Sequence, residues 1–65
     1  MLMRVYDEQR KFILEVNDND VPIVFSRGER IQIGGQLYTI DTVGPVELDP
    51  GREVLFRPVH LRSAE

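Results

Sequence analysis

Apolar and polar residues alternate along several short stretches of the chain, most clearly around a pair of glycines. In IQIGGQLYTI, residues 31–40, these glycines join two alternating runs. Alternation with a period of two is typical of a β-strand with one buried face, and paired glycines favour a tight hairpin turn. If Gly34 and Gly35 form the loop, Ile31 lies opposite Tyr38 and one face of the hairpin is largely apolar. That predicted apolar face consists of Ile31, Ile33, Tyr38 and Ile40.

The N-terminal segment, residues 2–16, fits two patterns. Its apolar residues follow a stripe that an amphipathic helix would present. A loop of four residues at 7–10 instead pairs Val5 with Phe12 and gathers the apolar residues on one strand face. That hairpin also includes Leu14, which the helix would leave exposed, and Phe12 and Val16 favour strand intrinsically. We therefore predict a hairpin, with an N-terminal helix in an α+β fold as the alternative.

Turn-forming residues divide the middle of the chain. The cluster NDND, residues 17–20, separates the first hairpin from the apolar run VPIVFS, residues 21–26, which predicts a third strand. Pro22 has no amide donor, so we expect it at the start of that strand or on a sheet edge.

The C-terminal part of the chain reads as two further strands. Gly44 and Pro45 end the glycine hairpin, and DPGR, residues 49–52, predicts a turn into the last run, REVLFRPVHLR. Pro58 interrupts this run and indicates a bulge or an edge position.

These stretches together predict an all-β fold in one domain, residues 1–65. About five to seven short antiparallel strands are too few and too short for a two-sheet sandwich, which needs about 100 residues. The architecture expected is a small, partly open β-barrel of the Src-homology-3-like or OB-like kind.

Length and composition add to this picture. A chain of 65 residues buries only about 60% of the surface it exposes when unfolded. It has no cysteine to stabilise this thin core, so self-association is expected to contribute. The opening residues lack the apolar run of a secretion signal, and no stretch approaches a membrane span, which predicts a cytoplasmic location.

Three patterns resemble chemical sites and do not satisfy their requirements. The glycines precede a strand, whereas a phosphate loop opens a helix, and they do not have its spacing. In the acidic cluster, Pro22 and Ile23 occupy positions where a calcium loop requires a ligand and a glycine. Ser26, Asp41 and His60 form no recognisable catalytic motif, and a domain of this size has little room for a ligand pocket. We therefore expect no enzymatic activity, no metal and no cofactor.

Single-stranded nucleic-acid binding is the alternative function. Small β-barrels bind single strands by stacking bases on aromatic side chains beside arginines. Against this, the net charge is −3 and the eight basic residues are dispersed. The candidate residues for this alternative are Tyr38, Arg57, His60 and Arg62.

Binding to a protein partner, or to a second copy of the chain, is the function that the sequence favours. A partly open barrel leaves unpaired strand edges, expected at the strands with Pro22 and Pro58, and apolar residues outside the core face could contact a partner. Arg57 alternates with leucines in the last strand and would supply a polar rim. The candidate partner-binding residues are Leu37, Leu55, Arg57 and Leu61.

Overall fold

The computed structural model describes residues 1–64, which form one curled half-barrel sheet of six strands. These residues contain no helix, so the all-β prediction is confirmed and the alternative of an N-terminal helix is wrong. The strands are β1 (Leu2–Tyr6), β2 (Phe12–Asn17), β3 (Arg30–Ile33), β4 (Gln36–Val43), β5 (Glu47–Asp49) and β6 (Val54–Ser63).

The last strand organises the sheet. The strand order is β2-β1-β6-β4-β3, and the short β5 pairs with the beginning of β6. β1 runs parallel to β6, with Val5 opposite Val59, while every other pair is antiparallel. The expectation of antiparallel strands alone is therefore wrong for this pair, which joins the two ends of the described chain.

The glycine hairpin forms in the predicted register. Ile31 lies opposite Tyr38, and Gly34 and Gly35 have φ angles of 59° and 79°. Two successive residues in this left-handed region form the primed turn whose twist matches that of the flanking strands. The paired glycines therefore turn the chain, as the alternation around them indicated.

The N-terminal hairpin also forms, but its predicted register is wrong by two residues. Val5 pairs with Leu14 instead of Phe12, and a bulge separates this pair from the next, Tyr6 with Phe12. The loop is longer than expected because the Asp7 carboxylate accepts hydrogen bonds from the amides of Gln9 and Lys11, both at 2.9 Å. The bulge directs Phe12 away from the core, where it is 55% exposed.

The third strand predicted at residues 21–26 is absent. This segment pairs with no strand, and along the described chain β2 is followed directly by β3. Ile23 and Phe25 pack against the core while Val24 is 64% exposed. Ile23 and Phe25 therefore cover part of the core although their segment does not join the sheet.

Pro58 lies in the central strand, which corrects the prediction of a bulge or sheet edge. Pro58 lies in the short part of β6 between the residues that pair with β4 and those that pair with β5. The Gly44 amide donates to the Pro58 carbonyl at 2.8 Å, but proline has no amide to return the bond. The Arg57 side chain supplies the missing donor, because its Nε donates to the Gly44 carbonyl at 2.8 Å.

The core lies on the inner face of the curled sheet. Opposed residues of paired strands share a face, which places Val5, Val59, Leu61 and Ile40 together, each at most 1% exposed. On the outer face, Phe56 is also buried. Within residues 1–64, no helix has the length and apolar character that crossing a membrane requires.

Candidate binding surfaces

The residues predicted to bind a partner do not form one surface. Leu37 and Leu55 are 45% and 54% exposed, but they lie near opposite ends of β6. Leu61 is 1% exposed and belongs to the core, so this fold does not present its side chain to a partner. Arg57 is half-buried and its Nε is bound to a backbone carbonyl. Only Leu55 and Arg57 are close enough along one strand face to act together.

Leu55 belongs to an exposed apolar surface on the β5–β6 hairpin. It pairs directly with Leu48, and Val46 lies two residues before Leu48, just ahead of β5. Val46, Leu48 and Leu55 are 50%, 60% and 54% exposed. These three residues, called the hairpin patch below, bring together three of the large hydrophobic side chains that the fold leaves in solvent.

Ion pairs hold the tip of this hairpin toward the outer face of β1 and β2. Arg4 donates from Nε to Glu15 at 2.8 Å and from Nη2 to Asp49 at 2.6 Å. Arg52 donates to both oxygens of Glu15, at 3.0 and 3.1 Å. The Arg4 guanidinium also covers Phe56, 4.1 Å from the ring centroid. Leu48 and Leu55 lie on the face of the hairpin opposite Asp49, and both are exposed.

Arg4 lowers the pKa of two carboxyl groups. The hydrogen bond from Arg4, reinforced by Arg52, lowers the pKa of Glu15 below its usual value despite partial burial. The hydrogen bond from Arg4, with the backbone amides of Arg52 and Gly51, lowers the pKa of Asp49. Both carboxyl groups therefore ionise more readily in the folded state than in the unfolded state, so their ionisation stabilises the fold.

The residues predicted for nucleic-acid binding are dispersed over both faces. Tyr38 packs against the core on the inner side, paired with Ser63, and Arg57 lies on the same side. His60 lies on the outer face, stacked on Tyr6 with ring centroids 5.3 Å apart. Arg62 forms an ion pair with Asp41, with 3.7 Å between Arg62 Nε and Asp41 Oδ1. These side chains do not form one strip along which bases and phosphates could bind.

A shallow groove of about 270 Å³ runs along the outer face of β6. It is lined by Tyr6, Arg10, Glu47, Phe56, Pro58 and His60. Phe56, Pro58 and His60 alternate along β6, with Tyr6 opposite His60 and Glu47 opposite Phe56. The groove therefore has an aromatic wall at one end and Phe56 beside a carboxylate at the other.

Gly44 packs closely against Pro58, one of the residues that line the groove. A Cβ built on Gly44 would come within 2.8 Å of Pro58 Cγ and 3.4 Å of its Cδ.

Two further hollows contain mixed charges. One of about 280 Å³ is lined in part by Asp7, Asp41, His60 and Arg62, and one of about 260 Å³ by Glu8 and Tyr38 among others. Across residues 1–64, no three histidine or acidic side chains are arranged to hold a metal ion. Neither hollow combines these groups into a recognisable reactive site.

The edge strands are β2, β3 and the three-residue β5, which pairs only with β6, and not the strands predicted from Pro22 and Pro58. β2 carries the bulge next to Phe12 and the charged Glu15, and β3 has four residues, including the exposed Arg30 and Gln32. Short, bulged and charged edges resist the addition of another strand. The faces of the sheet are therefore better surfaces for recognition than its edges.

Four residues that are exposed or line the groove were not selected from the sequence, namely Val46, Leu48, Phe56 and Pro58. Val46 and Leu48 precede the DPGR turn and Leu55 follows it, a spacing that could have indicated a paired apolar surface. Phe56, Pro58 and His60 occur at every second position, which could have indicated one strand face.

Comparison of the chain with protein-family models, curated proteins and solved structures gives no match.

Proposed function

We propose that this chain is a non-enzymatic protein-interaction module that binds a different protein through the hairpin patch. The observation that carries the proposal is the directly paired Leu48 and Leu55, 60% and 54% exposed, with the exposed Val46 two residues before Leu48. Clustered apolar side chains in solvent are typical of recognition surfaces. Arg57, half-buried behind Leu55, supports the same strand face.

The size of the patch favours a different protein over a second copy. A standard interface buries about 800 Å² on each partner, which is nearly a fifth of the 4517 Å² surface of this molecule. In a two-fold dimer the hairpin patch of one copy would face the same patch of the other copy, and three side chains from each copy would bury much less than this area. A partner with a pocket that receives the hairpin would surround both leucines and bury their neighbours as well.

Site-specific cross-linking tests this proposal. A photoreactive amino acid at position 48 should cross-link a discrete partner in the native host, whereas the same group at position 24 should not. Val24 is a matched control because it is apolar and 64% exposed.

Binding to the partner so identified is then measured with purified variants. Leu48→Asp should weaken binding at least about tenfold, as expected for a central apolar contact, and Val24→Asp should have little effect. Equal effects of the two substitutions would refute the patch as the binding surface. Cross-linking at position 48 to the chain itself alone would show that the partner is a second copy.

A further inference from the structure

We propose that residues 21–25 pair with the same segment of a second copy of the chain, as an antiparallel β-ladder across a two-fold axis. These residues, VPIVF, lie between β2 and β3 and belong to no strand of the described chain. They are called the unpaired segment below. None of them belongs to the hairpin patch, so the contact with a second copy and the contact with a different protein use different residues.

The unpaired segment has the burial pattern of a strand although no strand lies beside it in the sheet. Val21, Ile23 and Phe25 are partly buried, whereas Pro22 and Val24 between them are exposed. Ile23 and Phe25 pack against the core. Alternation with a period of two is that of a strand with one face on a core. The segment can therefore join a ladder while its apolar side chains keep their places.

One edge of the unpaired segment carries a row of free backbone groups. Within residues 1–64, the amides and carbonyls of Val21, Ile23 and Phe25 have no backbone partner. Successive residues of a strand direct these groups to opposite edges, so the three residues present theirs along the same edge. A row of this kind is a template for another strand, and the segment has no charged side chain to oppose the pairing.

The opposite edge of the unpaired segment is closed to pairing. Pro22 has no amide, and the Val24 carbonyl accepts a hydrogen bond from the Ser26 amide at 3.1 Å. Proline is tolerated in a sheet where its missing donor faces away from the ladder. Because only one edge is open, the association ends at two copies and does not continue into a fibre.

The charges beside the unpaired segment favour an antiparallel second copy. Asp20 precedes the segment and Arg27 follows it, both exposed, and neither forms an ion pair within the described residues. Antiparallel pairing brings Asp20 of each copy toward Arg27 of the other, whereas parallel pairing would bring like charges together. A register centred on Ile23 pairs Val21 with Phe25, and in it the three open residues of each copy exchange all their free amides and carbonyls.

Removal of one amide donor at a time tests the proposal, because chemical synthesis of the full chain leaves every side chain in place. Sedimentation equilibrium from micromolar to millimolar protein should show a monomer–dimer equilibrium. N-methylation of Ile23 should weaken the dimer at least about tenfold, since the pair on the two-fold axis loses both of its hydrogen bonds and leaves two carbonyls unpaired. N-methylation of Val24, on the closed edge, is the matched control and should leave the dimer unchanged. Thermal unfolding checks that both chains fold.

A charge exchange tests the antiparallel arrangement. Asp20→Arg and Arg27→Asp should each weaken self-association about threefold to tenfold, because both ends of the dimer then bring like charges together. An equimolar mixture of the two variants should form a heterodimer as tight as the natural dimer, since each end regains one positive and one negative residue. Glu47→Arg changes an exposed charge on β5 and should have no effect on the dimer.

Three results would overturn the proposal. The first is a monomer at millimolar protein. The second is an equal effect of the two N-methyl groups on the dimer. The third is a heterodimer of the charge variants that is no tighter than either variant alone. A photoreactive group at position 24 should cross-link the chain only to itself, so a failure here would leave the result for a different protein at position 48 unaffected.

Discussion

Replacing Gly44 with alanine should destabilise the fold because the new methyl group would enter the Pro58 ring. The added Cβ would lie 2.8 Å from Pro58 Cγ, a separation that forces either the Pro58 ring or the chain around residue 44 to move. Overpacking of this kind costs about 1–3 kcal/mol, and the smaller entropy of the unfolded chain returns about 0.4–1 kcal/mol. The expected net loss is about 1–2 kcal/mol, or a fall in Tm of about 5–15 °C for a domain of this size.

The measurement is urea and thermal unfolding followed by circular dichroism, with the m-value checked for constancy. Gly51→Ala is the matched control, since its Cβ would meet only Asp49 Oδ1, at 3.5 Å, and it should leave stability unchanged or slightly higher. In a Pro58→Ala background the same Gly44→Ala change should lose most of its effect, because the ring is gone. An equal effect in both backgrounds would refute the steric explanation.

Two further predictions concern pH and the glycine turn. Arg4 lowers the pKa values of Glu15 and Asp49, so the unfolded state binds more protons than the folded state in acid. Stability should therefore be constant near neutrality and should decrease as the pH falls below about 5, and Arg4→Met should flatten this decrease in unfolding experiments at pH 3–7. Gly35→Val should destabilise the protein by about 1–2 kcal/mol because φ is 79° there, while Gly34→Asn should be tolerated in thermal unfolding since asparagine accepts this conformation. Equal stability of the two turn variants would contradict this account of the loop.

The pattern of apolar residues and turn residues correctly predicted the parts of the fold that depend on residues close together in the sequence. In the glycine hairpin, the turn geometry and the alternation specify the same register, so Ile31 and Tyr38 were paired correctly. In the first hairpin, the Asp7 carboxylate binds two amides of the loop and Arg10 adopts a φ of 63°. Hydrophobic alternation does not report such bonds, and the predicted register was therefore wrong.

Burial and strand pairing are separate properties, which explains the other differences. Ile23 and Phe25 are apolar because they cover the core, although their segment joins no sheet. β6 is covered on both faces, with Phe56 buried on one and Leu61 on the other. A central strand of this kind loses its alternation. Leu61 could therefore not be distinguished from an exposed leucine, and the groove beside Phe56 was not foreseen.

The central position of β6 has a consequence for how the chain folds during synthesis. The β1–β2 and β3–β4 hairpins can each form from nearby residues, but in the sheet order they meet only through β6. The pairing of residues 2–6 with residues 56–60 also closes a very long loop, which slows folding relative to local contacts. On the ribosome, both hairpins would be made early and left without their shared neighbour until the final strand has emerged. The nascent chain would then acquire its cooperative structure in one late step, and its apolar surfaces would need protection until that moment.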